Sequence, residues 1–173
     1  MKILHCMLIM SLLFVSCDKD DDNSNTDDSP LTGTDFQATI DGGNFSNYDF
    51  DLGVYIITAG TANNTLSIDI GDSNGEQITL FLNATGGFDS GVVKEMNNVD
   101  SNDFITYALF RQQSPMNSYF SSEGSVTITE NRAHPTESGV RLISGNFDIT
   151  AISPEDSGVV EITGAFSELE YND

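Results

Sequence analysis

The sequence predicts a single all-β domain over residues 34–173, either an antiparallel β-sandwich or a small β-barrel of nine or ten strands. Three observations support this prediction. Apolar and polar residues alternate along most of the chain, turn sequences separate the alternating stretches, and no segment has the 3.6-residue apolar spacing of an amphipathic helix. One buried and one wetted face per strand is typical of antiparallel sheets.

The alternation is clearest in residues 65–71 and 76–83, which the turn sequence Asp72-Ser73-Asn74-Gly75 separates. These two stretches are predicted to form a β-hairpin, because Asp, Asn and Gly tolerate the backbone angles of tight turns. The residues predicted to face the core are Phe36, Ala38, Ile40, Leu66, Ile68, Ile70, Ile78, Leu80, Leu82, Val126, Ile128, Val160, Ile162 and Phe166.

Three stretches depart from regular alternation. Near Gly145 the apolar positions change phase, which predicts a β-bulge or a bend. Residues 97–103 are polar and acidic, and we expect a loop there. Residues 104–110 (FITYALF) are apolar at almost every position. This stretch is either a central strand covered on both sides or an exposed aromatic platform for a ligand.

Charge and composition exclude several classes of protein. The chain has 27 Asp and Glu against 6 Lys and Arg, a net charge of -21, which repels nucleic-acid phosphates and anionic bilayer surfaces. Apolar residues make up 38%, and 11 Phe and 5 Tyr supply enough bulk for a core. Both cysteines lie within the first 17 residues, so no disulfide framework is predicted.

The N-terminal segment has the features of a signal peptide. An apolar run from Ile3 to Val15 follows Lys2, and it is shorter than the roughly 20 residues that a membrane-spanning helix needs. The acidic sequence after Cys17 cannot enter hydrocarbon. Residues 1–16 are therefore predicted to be cleaved.

The sequence Phe14-Val15-Ser16-Cys17 resembles a bacterial lipobox, with Phe14 at a position where that pattern prefers Leu. The resemblance implies cleavage before Cys17, a diacylglycerol on its sulfur, and further acylation of its amine by a palmitate-type chain. Two or three acyl chains hold a protein on a membrane almost permanently. The alternative is an ordinary secretory signal with a stray cysteine.

Residues 17–33 are predicted to be a lipidated cysteine followed by a disordered acidic tether, because they contain six Asp and almost no apolar residues. An acidic run after the lipidated cysteine resembles the surface-export signal of Bacteroidota outer-membrane lipoproteins. That resemblance implies an outer-membrane protein facing the cell exterior. The alternatives are a plain solvated spacer and a body on the periplasmic face.

A wider resemblance extends over most of the body. The sequences at 36–42, 124–130, 144–147 and 162–166, in this order behind a lipobox, resemble a family of small flavobacterial outer-membrane lipoproteins of unknown function. The resemblance implies the β fold and the compartment. It supplies no catalytic residues.

No catalytic or cofactor motif is present. His134 is the only histidine after the signal peptide, and no Gly-x-Ser-x-Gly sequence accompanies it, so we expect no enzyme and no cofactor. Asp72, Asn74 and Glu76 resemble part of a calcium loop and are a weak metal candidate. The pattern would place its first ligand at Ile70, which cannot coordinate a metal, so a hairpin turn is favoured there.

Three functions remain open. The first is a non-catalytic surface lipoprotein, whose β module uses its loops to contact an unidentified ligand. The second is a glycan-binding accessory module, in which Tyr48, Tyr55, Tyr107 and Tyr119 replace the absent Trp. The third is an extracytoplasmic hydrolase, which no catalytic motif in the sequence supports. The expected partners are therefore the membrane, through Cys17, and a glycan or protein ligand.

The Cys17→Ala variant tests the lipid anchor. We expect the variant to appear in the soluble fraction, because it lacks the sulfur that carries the diacylglycerol. Membrane fractionation with a high-salt wash provides the measurement. A variant that stays with the washed membranes would contradict the lipoprotein interpretation.

Overall fold

The computed structural model describes residues 33–173, so the predicted signal peptide, Cys17 and nearly all of the tether lie outside the described residues. The predicted all-β fold is confirmed: ten antiparallel strands form one sheet, and the described part of the chain has no α-helix. No helix within residues 33–173 is long and apolar enough to cross a membrane.

The strands are β1 (Asp35–Gly42), β2 (Phe45–Asp51), β3 (Val54–Ala59), β4 (Thr65–Gly71), β5 (Gln77–Asn83), β6 (Val93–Glu95), β7 (Tyr107–Gln112), β8 (Asn117–Ala133), β9 (Val140–Ile152) and β10 (Val159–Asn172). A short 3-10 turn, Thr61–Asn63, connects β3 to β4. The predicted hairpin is β4 and β5, with Thr65 opposite Asn83 and Gly71 opposite Gln77.

The sheet is curled into a half-barrel rather than split into two facing sheets. Its strand order is β2-β1-β10-β9-β8-β7-β5-β4-β3, and β6 pairs with part of β8. The edge strands β2 and β3 are consecutive in the chain, separated only by Leu52 and Gly53. This short connection joins the two edges of the sheet. At the seam, the backbone N–H of Glu170 in β10 donates to the hydroxyl of Tyr55 in β3 at 3.2 Å.

The hydrophobic core fills the concave side of the sheet. All of the residues predicted from the alternation to face the core are buried. Aromatic rings pack against one another at its centre: the ring centroids of Phe36 and Phe147 lie 5.5 Å apart, and those of Phe110 and Tyr119 lie 5.8 Å apart. One continuous curled sheet can therefore enclose a core without a second layer.

The irregularity predicted near Gly145 is present, but the extra residues belong to the neighbouring strands. The register of β10 shifts between Phe166 and Leu169, and the register of β8 shifts between Ile128 and Glu130. Both shifts lie beside Gly145 in β9. Bulges on both sides of one strand increase the local twist, which helps the sheet to curl.

Two glycines in β9 and β10 each lie opposite a phenylalanine of the other strand. Gly145 pairs with Phe166, and Gly164 pairs with Phe147. A Cβ atom on Gly164 would lie 2.5 Å from Cζ of Phe147 and 2.4 Å from the carbonyl oxygen of Gln37. The two Gly-x-Phe sequences thus form reciprocal pairs, in which each ring occupies the space that a side chain would take.

The Gly164→Ala variant tests this packing. We expect a loss of about 1–3 kcal/mol in the free energy of unfolding, because the new methyl group displaces the Phe147 ring and the β1 backbone. Urea denaturation provides the measurement.

Gly71→Ala is the matched control, because a Cβ atom there would lie at an ordinary 3.5 Å from Cγ1 of Val54. Equal unfolding midpoints for the two variants would show that the Phe147 ring is not held against Gly164.

Candidate functional site

The outer face of the sheet carries an apolar row that crosses four strands. Leu109, Phe120, Ile152 and Val159 are successive cross-strand partners on β7, β8, β9 and β10. Phe120 is 49% exposed, Ile152 40% and Val159 46%. We call these four residues the outer apolar row. With strands about 4.8 Å apart, the row is about 14 Å long.

An aromatic cluster adjoins the row. Phe81 of β5 pairs with Tyr107 of β7, and their rings stack with centroids 5.2 Å apart. Phe104 adds a third ring, 6.3 Å from Phe81. Phe104 and Tyr107 are 40% and 36% exposed. We call these three residues the aromatic platform. The interpretation of residues 104–110 as a strand covered on both sides is therefore wrong: aromatic side chains of this stretch are exposed, and their contact with a ligand stays a prediction.

The platform rests on a loop that polar groups fix from below. Residues 97–103 form a loop, as predicted. The buried side-chain amide of Asn83 donates to the carbonyl oxygens of Asn98 at 2.8 Å and Phe104 at 2.9 Å. The backbone N–H of Asn83 donates to the hydroxyl of Thr106 at 3.2 Å. These bonds connect the end of β5 to both arms of the loop and position Phe104.

Asp100 organises the same loop from within. Its carboxylate accepts hydrogen bonds from the backbone N–H groups of Asn102 at 2.8 Å, Phe104 at 3.0 Å and Ala84 at 3.2 Å. Desolvation alone would raise the pKa of Asp100, but the three N–H donors and the charge of Lys94 outweigh it and lower that pKa. The ionised form of Asp100 therefore holds the loop closed.

Lys94 lies beneath the platform and is the only lysine among residues 33–173. Its side chain is 2% exposed, and its Nζ donates to the carbonyl oxygens of Asn83 and Thr85, both at 2.7 Å. The Nζ also lies 4.2 Å from the ring centre of Phe88. Burial lowers the pKa of Lys94 to about 8, and the charge of Asp100 acts in the opposite direction.

A shallow groove of about 180 Å³ continues the outer face across β3, β4 and β5. The exposed side chains of Val54 and Ile56 line it together with Asp69 and Thr79. The Asp69 carboxylate accepts hydrogen bonds from the hydroxyls of Thr79 at 2.6 Å and Ser67 at 3.0 Å. We call this the Asp69 groove. It combines apolar walls with one carboxylate.

The weak metal candidates lie together in the β4–β5 turn, where their carboxylates have separate partners. One oxygen of Asp72 accepts from the N–H groups of Asn74 and Glu76, and the other accepts from the hydroxyl of Tyr48. The Glu76 carboxylate accepts from the N–H of Gln113 at 2.6 Å. Within residues 33–173, no three His, Cys, Asp or Glu side chains are grouped closely enough to hold a metal ion.

The four tyrosines proposed for glycan stacking differ in exposure. Tyr119 is fully buried, whereas Tyr48 and Tyr55 are half-buried and pack against the core, with their hydroxyls bonded to Asp72 and to the backbone of Glu170. Burial and the bond to Asp72 raise the pKa of Tyr48 to about 12. Only Tyr107 among the four belongs to the exposed platform.

His134 lies in the turn between β8 and β9, where its ring bonds to the backbone of the same turn. Its Nδ1 accepts from the backbone N–H of Glu137 at 3.0 Å. The hydroxyl of Thr136 lies 3.4 Å from the same nitrogen, whose lone pair is already engaged. Nε2 lies 3.7 Å from Oε1 of Glu170, beyond ordinary hydrogen-bond distance.

Sequence reasoning missed most of this surface. In each of β8, β9 and β10, one apolar residue occupies an outward position, and a single such residue is unremarkable in a sequence. Only the strand register places Phe120, Ile152 and Val159 side by side. Lys94 and Asn83 were missed because their partners are backbone carbonyls with no sequence signature.

Comparison with known proteins identifies no relative. No protein-family model, no curated protein and no solved structure matches the chain.

The pH dependence of stability tests the burial of Lys94. Between its folded pKa of about 8 and the ordinary value of 10.5, the unfolded chain binds more protons than the folded protein. The free energy of unfolding should therefore rise with pH, by about 1.5 kcal/mol between pH 8 and 9.5.

The control for this measurement is Lys94→Met, which should lack that rise in urea titrations at the same pH values. Tyr48 acts in the opposite direction only above about pH 10, because its folded pKa lies above its unfolded value. Parallel pH profiles for the two proteins would contradict a buried, charged Lys94.

Proposed function

We propose that this chain is a non-catalytic binding module, anchored to the outer membrane through lipidated Cys17 and facing the cell exterior. The outer apolar row, together with the aromatic platform, is its contact surface. The exposed cross-strand row is the observation that carries the proposal. The periplasmic face of the outer membrane is the alternative location.

The extent of the surface supports a binding role. Single exposed apolar residues are normal on proteins, whereas contiguous apolar patches mark interaction sites. Here four apolar residues lie in direct register, and three aromatic rings adjoin them. A strand face that met only water would be expected to carry polar residues at these positions.

The construction beneath the platform also supports a binding role. Among residues 33–173, no carboxylate lies within 4.0 Å of the ammonium group of Lys94, so its burial is costly and desolvation lowers its pKa. The amine donates to the carbonyl oxygens of Asn83, the last residue of β5, and of Thr85, and β5 also carries Phe81. Rigid support of exposed rings reduces the entropy lost when a ligand binds.

The anchor and the location rest on the sequence. The lipobox-like residues 14–17, the acidic run after Cys17 and the family resemblance of the body all favour a lipoprotein displayed on the outer membrane. The net charge of -21 favours solubility and keeps the body away from anionic lipid. The proposed binding surface lies on a face of the sheet, whereas the sequence predicts that loops contact the ligand.

Site-specific photo-crosslinking in intact cells tests this proposal. A benzophenone amino acid at Phe120 should form covalent adducts with a cell-surface or extracellular molecule, because the row is the contact surface. The same amino acid at Thr163, a polar outward position of β10, is the control. Equal adduct yields at both positions, or none at Phe120, would count against the proposed surface.

A further inference from the structure

We propose that the ligand is a polypeptide with a basic side chain, Lys or Arg, that enters the Asp69 groove while its apolar side chains cover the outer apolar row. This inference rests on the proposed function and specifies the chemistry of its ligand.

The groove and the row lie on one line across the sheet. Ile56 pairs with Asp69, Asp69 pairs with Thr79, and Thr79 pairs with Leu109, the first residue of the row. From Ile56 to Val159 the line crosses seven strands and is about 29 Å long when it is measured along the curled sheet, which brings β3 back to β10 at the seam. Asp69 and Leu109 are separated by two strand spacings, about 10 Å, so one ligand that follows the outer face can contact the groove and the row.

The groove fits the two parts of a basic side chain. Val54 and Ile56 are exposed and offer apolar walls to the methylene stem of Lys or Arg. Asp69 is exposed, and its two oxygens accept one hydroxyl each, although a carboxylate can accept about four hydrogen bonds. Acceptor capacity therefore remains for a cationic donor.

The charge distribution favours a basic partner over a second copy of this chain. Of the four basic residues in the described range, Lys94 is buried, while Arg132 and Arg141 lie within 4.0 Å of carboxylates. Arg111 remains as the exposed basic residue on the outer face. Two strongly acidic bodies repel each other, whereas a basic ligand is attracted to this surface.

The chemistry of the row favours a polypeptide over a glycan. Three of the four residues of the row, Leu109, Ile152 and Val159, are aliphatic, and Phe120 is the one flat ring in the row on which a sugar could stack. One face of the Phe81 ring is occupied by Tyr107, since the two planes are inclined by only 16°. Aliphatic side chains of a peptide pack well on such a row.

Peptide binding to the purified body, the β domain of residues 34–173, provides the test. Fluorescence anisotropy is the readout. The probes are a short blocked peptide of alternating leucine and lysine, its analogue with uncharged acetyl-lysine, and a cello-oligosaccharide. The proteins are the unmodified body, Asp69→Asn, Asp148→Asn and Phe120→Ser. Asp148→Asn is the matched control, because Asp148 is an exposed carboxylate of β9 that does not line the groove. Circular dichroism verifies that each variant is folded.

We expect Asp69→Asn to weaken binding of the lysine peptide about tenfold and Asp148→Asn to change it less than about twofold. The acetyl-lysine peptide should bind weakly to all four proteins and be insensitive to Asp69→Asn. Phe120→Ser should weaken binding of both peptides.

The alternative outcomes separate the two proposals. Equal effects of Asp69→Asn and Asp148→Asn, with a clear effect of Phe120→Ser, would overturn the basic-residue inference and leave the binding surface intact. Binding of only the oligosaccharide, lost in Phe120→Ser, would replace the peptide with a glycan. Insensitivity of all binding to Phe120→Ser would overturn both proposals.

Discussion

The structure depends on one constraint: a single sheet must hide its apolar face without the help of another layer. The solution is to curl the sheet until that face encloses itself. The edge strands β2 and β3 meet because only Leu52 and Gly53 separate them in the chain. The bulges beside Gly145 and the reciprocal Gly-Phe pairs of β9 and β10 supply curvature and close packing within the sheet. Once the inner face is closed in this way, every alternate side chain is directed outward.

This division of the strands explains how much the sequence could predict. Inner positions were predictable because burial imposes a strict two-residue period, as in Leu66, Ile68 and Ile70. The choice between sandwich and half-barrel was not, because it depends on how Leu52 and Gly53 connect the sheet edges. The outer apolar row was not predictable either, since it is formed by residues 109, 120, 152 and 159, which only strand pairing brings together. Residues 104–110 did signal the exposed platform, but their apolar character fitted a covered strand equally well.

Polar groups inside the molecule support apolar groups that are exposed on its surface. Asn83 and Lys94 are buried, and together with the half-exposed Asp100 they hold the loop that carries Phe104. Their hydrogen bonds are directional, so they fix a loop more specifically than apolar packing alone would. The aromatic rings above them remain partly exposed. Such an arrangement is typical of binding sites in which supporting hydrogen bonds hold exposed apolar side chains in place.

The direction of β1 determines which end of the domain would face a membrane. The chain enters the sheet at Asp35, opposite Ser167, and leaves β1 at Gly42, opposite Val160. The outer apolar row ends at Val159, next to the exit of β1 and about a strand length, roughly 23 Å, from its entrance. The proposed lipid precedes β1 in the chain. It would therefore lie near the end of the half-barrel that is remote from the row. The proposed contact surface would then lie on the side of the domain remote from the bilayer.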